Sequence, residues 1–315
     1  MARRPKVLNT LLVPIVASRV AGALGLIGPA FRFVVARALM RRGERAFTGY
    51  RPTEHDVFVA TFAKSGTNWA MQLCVQIAHR GAAEFDHIHD VVAWPDMTLP
   101  RIVALDDAGP RLRSPTGLRV IKTHLSADKV PYSPAARYVT FIRDPKEVAV
   151  SAYHFVLGML GVRHRVSPRE WVDLWTDRGL LGSAWAEHTA SFWALRERPN
   201  VLVRTFNQVK GDLGGTIAAL AEHMGVELTP EELSAVIERG SFPYMRAHEE
   251  QFAPPQLPLS RPDQHPRMIR RGESGRSDEL LSVDERRRID AFSRAELLTL
   301  SSDFPYDEAF GGPRP

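Results

Sequence analysis

An α/β domain built on a parallel sheet is the fold that this 315-residue sequence predicts. From Asp56 onward, short apolar segments rich in β-branched and aromatic residues alternate with helix-like ones, the texture of parallel βαβ units. The length supports the same reading, because a chain of this size buries roughly three quarters of the surface its unfolded form exposes.

Taken in order, Val57–Phe62 reads as a buried strand and Thr67–His79 as the helix after it. Arg119–Lys122 and Tyr138–Ile142 read as two further strands. Pro145–Leu157 has the composition of a helix with proline in its first turn, where the missing N–H costs nothing. Trp171–Thr176 and Ser183–Arg198 are helical in spacing, Val201–Phe206 is a fourth strand, and Leu213–Met224 resumes helical periodicity. Thr229-Pro230-Glu231-Glu232 is a capping-box start for a helix through Arg239. Five prolines between 246 and 266 break the pattern and predict a long loop over about 246–270, either a lid or a plain connection. A last helix spans Val283–Leu298, and no internal repeat is present.

Charge divides the chain. Residues 1–45 hold nine basic residues and one acidic one, net +8, leaving −3 for residues 46–315. Two apolar stretches in this segment, Val7–Ser18 and Val20–Phe31, are interrupted by Arg19 and Arg32, which argues against a simple transmembrane helix. Three readings remain: a secretory leader behind Arg3, Arg4 and Lys6, an interfacial helix in peripheral contact with a membrane, and helices packing on the domain's own core. The single cysteine, Cys74, excludes a disulfide scaffold and a Cys-rich zinc site, and fits a cytoplasmic protein.

The chemistry concentrates in two strand–turn–helix segments. In Thr61-Phe62-Ala63-Lys64-Ser65-Gly66-Thr67-Asn68-Trp69, small residues let successive backbone N–H groups face an anion at a helix N-terminus, and Lys64 adds a mobile positive charge. The triphosphate loop GxxxxGK[ST] is absent, because no glycine precedes Lys64 by five and glycine follows it instead. In the second segment, Tyr138 through Phe155, Arg143 leaves a strand end and Ser151 lies two turns into the next helix, so both can reach a further phosphate.

These two segments resemble those of sulfotransferases that use 3′-phosphoadenosine 5′-phosphosulfate, the cytosolic-type family, here in a bacterial-like form. The first matches the family's 5′-phosphosulfate loop and the second its 3′-phosphate segment, in order and with the expected separation. Lys122-Thr123-His124-Leu125 resembles the family's Lys-Thr-His-Leu element, whose histidine is the general base. Ser241-Phe242 and Arg270-Arg271-Gly272 resemble the segments that hold the adenine and close over the 3′-phosphate. The resemblance covers about Asp56 to Asp290. It implies a three-layer, P-loop-like domain and transfer of a sulfuryl group to an acceptor hydroxyl, releasing adenosine 3′,5′-bisphosphate.

Under that reading His124 removes the acceptor proton, Lys64 meets charge on the leaving phosphate oxygen and Lys122 holds sulfuryl oxygens, with Ser151 and Arg143 on the 3′-phosphate. Ser65, Gly66, Thr67, Asn68 and Trp69 cradle the donor, Trp69 against the adenine. Phe206 replaces the tyrosine of the family's Tyr-Glu-Asp element, and Ala63 replaces the loop proline. Arg276-Ser277 stands for Asp-Trp, and Asp278 and Arg287 for the lysine and glutamate of the dimer motif, so the oligomeric state is left open. His87 and His89 invite a metal site, yet a strand or loop explains them equally, and the predicted chemistry uses no metal.

Two other classes of protein fit part of this pattern. A nucleotide kinase should show a true triphosphate loop and an acidic Mg²⁺ ligand ending a strand, and a membrane-associated nucleotide-binding protein would not require His124. Nucleic acid is not an expected partner. The acceptor is expected to be a small apolar or amphipathic alcohol, with Val91–Pro95, Tyr153–Phe155 and the 246–266 loop as candidates for its pocket.

Overall fold

The structure, a computed structural model, describes residues 45–97, 101–254, 267–272 and 274–311. Residues 1–44 of the predicted N-terminal segment and residues 255–266 of the predicted lid lie outside them. The described residues divide into two compact units, one within 45–143 and 188–252, the other within 144–187 and the described part of 253–311.

The first unit holds a five-stranded parallel sheet: β1 (Asp56–Ala60), β2 (Val92–Ala93), β3 (Arg119–Thr123), β4 (Arg137–Ile142) and β5 (Val201–Thr205), in the order β2-β3-β1-β4-β5. Every residue of β1 is buried, as expected of a central strand with helices on both faces. On one face Phe58, Ala60, Ile121 and Tyr138 pack with Phe192, the Phe58 and Tyr138 rings stacking at 5.0 Å. Helix α1 (Thr67–Ala78) packs against β1, β3 and β4. The register is pinned at the start of the sheet by the fully buried Asp56, whose carboxylate accepts hydrogen bonds from Arg119 Nε (2.7 Å), Tyr50 Oη (2.7 Å) and Thr53 N (2.7 Å).

The remaining helices, in chain order, are α2 (Gly109–Arg113), α3 (Pro145–Leu160), α4 (Pro168–Trp175), α5 (Leu181–Trp193), α6 (Phe206–Gly211), α7 (Leu213–Met224), α8 (Pro230–Gly240), α9 (Phe242–Ala247) and α10 (Val283–Thr299). Helices α7 and α8 lie against α1. The second unit contains α3, α4, α10 and the first half of α5.

Four expectations need correction. The strand predicted to reach Phe206 stops at Thr205, because Thr205 and Gln208 form a capping box that starts α6 there. Likewise α4 begins at Pro168 rather than Trp171, behind the reciprocal Ser167/Glu170 cap. Helix α5 ends at Trp193, and the chain reaches Val201 through tight turns, Leu195 N to Phe192 O and Arg198 N to Leu195 O among them. The irregular segment starts later than 246: α9 runs to Ala247 and a 3-10 turn over Glu249–Phe252 buries Phe252 edge-on against Phe85. The edge strand β2, two residues long, is not visible in the sequence pattern at all.

Candidate active site

In a parallel sheet whose central strand leads to neighbours on either side, ligands gather beyond the carboxyl ends of the strands at that switch point. Here the switch lies around β1, flanked by β3 and β4. The β1–α1 loop carries Lys64 to Gly66, the end of β3 carries Lys122 and His124, and Arg143 follows the end of β4.

The loop is built around two left-handed residues, Lys64 at φ 69° and Gly66 at φ 93°. Only glycine fits the second: a Cβ there would stand 2.9 Å from the Phe206 ring. Arg143 Nη1 donates to the Lys64 carbonyl (3.1 Å), and its guanidinium lies 4.5 Å from the centre of the Phe206 ring. Thr61 and Thr67 clamp the two ends of the loop through their hydroxyls at 2.6 Å.

The fit to an anion follows from what this loop leaves unmet. No side chain caps α1, so its first-turn N–H groups have no side-chain acceptor, and Ser65 Oγ is buried with no partner. Amide donors, a hydroxyl and the lysine together match a phosphate-type group at a helix N-terminus. Next to them, Trp69 donates from Nε1 to Gly240 O (2.8 Å) and meets Phe206 at 5.4 Å, edge to face. Ser241, one residue on, accepts from Tyr244 N and caps α9, while Phe242 is exposed.

His124 sits at the end of β3 with Nδ1 2.8 Å from the Thr61 carbonyl. A carbonyl oxygen only accepts, so Nδ1 carries the hydrogen and Nε2 keeps its lone pair. Burial, joined by the charge of Lys122, holds the imidazole well below the ordinary histidine range, so it is neutral at pH 7. Its backbone N–H donates to Asp96 Oδ2 (2.8 Å). Lys122 is buried over the Trp94 ring, and burial pushes its ammonium down to about 7 against the opposing pull of Asp96.

Residues 54–301 match the family model described as the sulfotransferase domain. The chain belongs to the sulfotransferase domain family. It is an enzyme of sulfuryl transfer, and its co-substrate is the one the motifs imply, 3′-phosphoadenosine 5′-phosphosulfate. Among curated sulfotransferases it is 24% identical to Sulfotransferase 2A1 of Macaca fascicularis over 262 residues, 81% of this chain and 88% of that protein. Over 199 residues, 62% of this chain and 68% of the relative, it is 24% identical to the 3-beta-hydroxysteroid sulfotransferase of Cavia porcellus. The crystal structure of retinol dehydratase in complex with androsterone and inactive cofactor PAP shares its fold, with a TM-score of 0.67 at 19% identity over 86% of this chain and 88% of that one.

Of the sulfotransferase residues expected from sequence, the first unit brings together Lys64, Ser65, Gly66, Thr67, Arg143, Trp69 and Phe206 around the loop, with His124 joined to it through Thr61. Asn68 follows on α1, partly exposed. Lys122, Ser241 and Phe242 also belong to the first unit, and the second holds Ser151, Arg270, Arg271 and Gly272. Ser151 is half-buried on α3. Arg270 and Arg271 both bind the Glu279 carboxylate, and Gly272 takes a left-handed φ of 65°. His154 stands 4.0 Å from the same carboxylate, and burial with the Arg270 charge lowers it to about 4. At the start of α3, Asp144 caps the helix by accepting from Lys146 N (2.9 Å), and burial raises its carboxyl to about 6.

Sequence reasoning gave no role of their own to Thr61 and Trp94, the one quoted with the loop and the other inside the Val91–Pro95 stretch offered for the acceptor pocket, and missed Asp96 and His188. The first three touch His124 or Lys122. His188 is buried edge-on to Phe62 at 6.0 Å, with an unpartnered Nε2. Among the described residues no cluster of three or more His, Cys, Asp or Glu is placed to hold a metal ion. His87 accepts from His89 N and caps a 3-10 turn, and His89 stacks on Trp94.

Proposed function

We propose that the acceptor is the hydroxyl of an apolar or amphipathic alcohol and that His124 is the base that activates it. The observation that carries this reading is the Nδ1–Thr61 hydrogen bond, which leaves Nε2 unprotonated at the end of β3 beside Lys122. As the acceptor oxygen bonds to sulfur and the sulfur–oxygen bond to the 5′-phosphate breaks, His124 takes the hydroxyl proton on Nε2. Lys64 meets the negative charge gathering on the departing phosphate oxygen. Lys122 holds the sulfuryl oxygens, and Ser65, Gly66, Thr67 and Asn68 bind the 5′ end of the donor through the α1 N-terminus. Trp69 and Phe206 supply aromatic surface for the adenine, and Arg143 and Ser241 with Phe242 keep the donor roles their motifs assign. Ser151, Arg270, Arg271 and Gly272 are assigned to the 3′-phosphate on the motif alone.

The aromatic residues around His124, Trp94 and Phe62 with His188, support an apolar acceptor. So do the names of the relatives, a 3-beta-hydroxysteroid sulfotransferase among them, and the androsterone in the retinol dehydratase crystal. Mass spectrometry after incubation with the sulfate donor and a panel of hydrophobic alcohols is expected to detect products heavier by one sulfuryl group. Amine or sugar acceptors turning over while every hydrophobic alcohol stays unmodified would remove the acceptor assignment.

We place the protein in the cytoplasm, in peripheral contact with membranes through residues 1–45. Among the described residues no helix is long and apolar enough to cross a membrane. The support is the +8 charge of that segment together with its two arginine-interrupted apolar stretches. The full chain is expected to co-sediment with anionic vesicles at low salt and to be released at about 0.5 M salt, where screening falls to a few ångströms. Equal binding to neutral and anionic vesicles, or none, would count against it.

A further inference from the structure

The register of the β2–β3 pair has a consequence for the reaction. Val92 pairs with Val120 and Ala93 with Ile121, so the next position sets Trp94 across from Lys122. The Lys122 ammonium lies 3.3 Å from the centre of the Trp94 ring. On its other contacts the ring is gripped: His89 stacks on it at 5.3 Å and 19°, and His124 meets it edge to face at 5.4 Å. His89 is itself fixed, because its Nδ1 is 3.1 Å from the Val92 carbonyl and must donate to it.

We propose that Trp94 is a positioning residue for sulfuryl transfer, its ring face holding the buried Lys122 ammonium in place and in its charged form. The proposal rests on the reading of Lys122 as the ligand of the sulfuryl oxygens. A buried ammonium has lost most of its water, and a ring face is one of few partners that stabilises the cation without neutralising it. The titratable groups facing Lys122 are Asp96, His89 and His124. Burial lowers His89 to about 3 and His124 well below its ordinary value, so both are neutral at pH 7, and among the described residues Asp96 is the carboxylate that opposes the loss of charge, its own carboxyl raised by burial. Trp94 therefore adds to Asp96 in keeping the charge on Lys122, which burial brings to about 7.

The test is the pH profile of kcat/KM, which reports groups of the free enzyme. For the unaltered protein, activity is expected to fall as pH rises through about 7, as Lys122 loses its proton. Trp94→Leu should move that alkaline limb down by about one pH unit. Its activity would then be about tenfold below the parent at pH 8 and within about twofold at pH 6. Trp94→Phe, which keeps a ring of weaker attraction and conserves the packing, should fall between the two. In a Lys122→Met background, Trp94→Leu should leave the profile unchanged. A loss in Trp94→Leu that is equal at every pH, an unshifted limb in the folded Trp94→Phe protein, or a full additional loss in the Lys122→Met background would each overturn the positioning role. Near-parent activity in Lys122→Met alone would instead overturn the reading of Lys122.

Discussion

Replacing His124 with alanine is expected to lower kcat by about 100- to 10,000-fold while leaving the affinity for the sulfate donor within about twofold of the parent. The asymmetry follows from where the imidazole stands. It hangs from the end of β3, tied by Nδ1 to the Thr61 carbonyl and by its backbone N–H to Asp96, bonds that do not involve Lys64, Ser65 or Gly66. Its work is on a proton that moves only during the reaction, so its loss is felt in turnover and not in ground-state binding. Burial keeps the base in its neutral form, so the parent should retain base function well below pH 6.5. Single-turnover kinetics beside calorimetric titration of the product nucleotide would separate the two quantities. A His124→Ala protein with near-full turnover at pH 7 would require another base.

Lys64→Ala is expected to damage both quantities, donor binding by about tenfold and kcat by on the order of 100-fold or more. Alanine keeps a Cβ at φ 69°, so the substitution removes the ammonium without relaxing the backbone of the turn. Arg143 still holds the carbonyl of residue 64, so the loop should keep its course and the change should isolate the charge. The larger effect falls on kcat because negative charge on the leaving oxygen grows toward the transition state. Lys64→Arg should recover part of the loss in binding and less in turnover, since the guanidinium is planar and larger. Equal losses in binding and turnover would mean that Lys64 serves only to bind.

Much of this was legible in the residues because the cues are local. A Lys-Ser-Gly-Thr turn between an apolar strand and a helix can be read without knowing what else surrounds it, and the Thr229-x-x-Glu232 box marks its helix in four residues. The same cue written as Ser167-x-x-Glu170 and Thr205-x-x-Gln208 marks α4 and α6, and reading it there would have corrected both boundaries. Asp96 and Trp94 were of another kind. Each meets Lys122 or His124 only through the pairing of β2 with β3, and a two-residue edge strand leaves no periodicity to find. His188 is equally silent, a lone histidine in a helix whose neighbourhood depends on tertiary packing. The reciprocal hold of Glu279 on Arg270 and Arg271 could be suspected from charge alone but not assigned among so many arginines.

The strand order also sets a problem of timing. Among the described strands β1 leaves the ribosome first, yet it occupies the middle of the sheet, with Asp56 waiting for Arg119 on one side and Val57 for Arg137 on the other. None of its pairings is a hairpin, so loop-closure entropy must be met before any sheet contact forms. Until β4 has been synthesised, a five-residue segment that ends up wholly buried stays exposed with at least one unpaired edge. The nascent chain is therefore most open to self-association while the stretch between β1 and β4 is being made, and a holdase that shields β1 during that interval would do more for the yield of active enzyme than one acting after release.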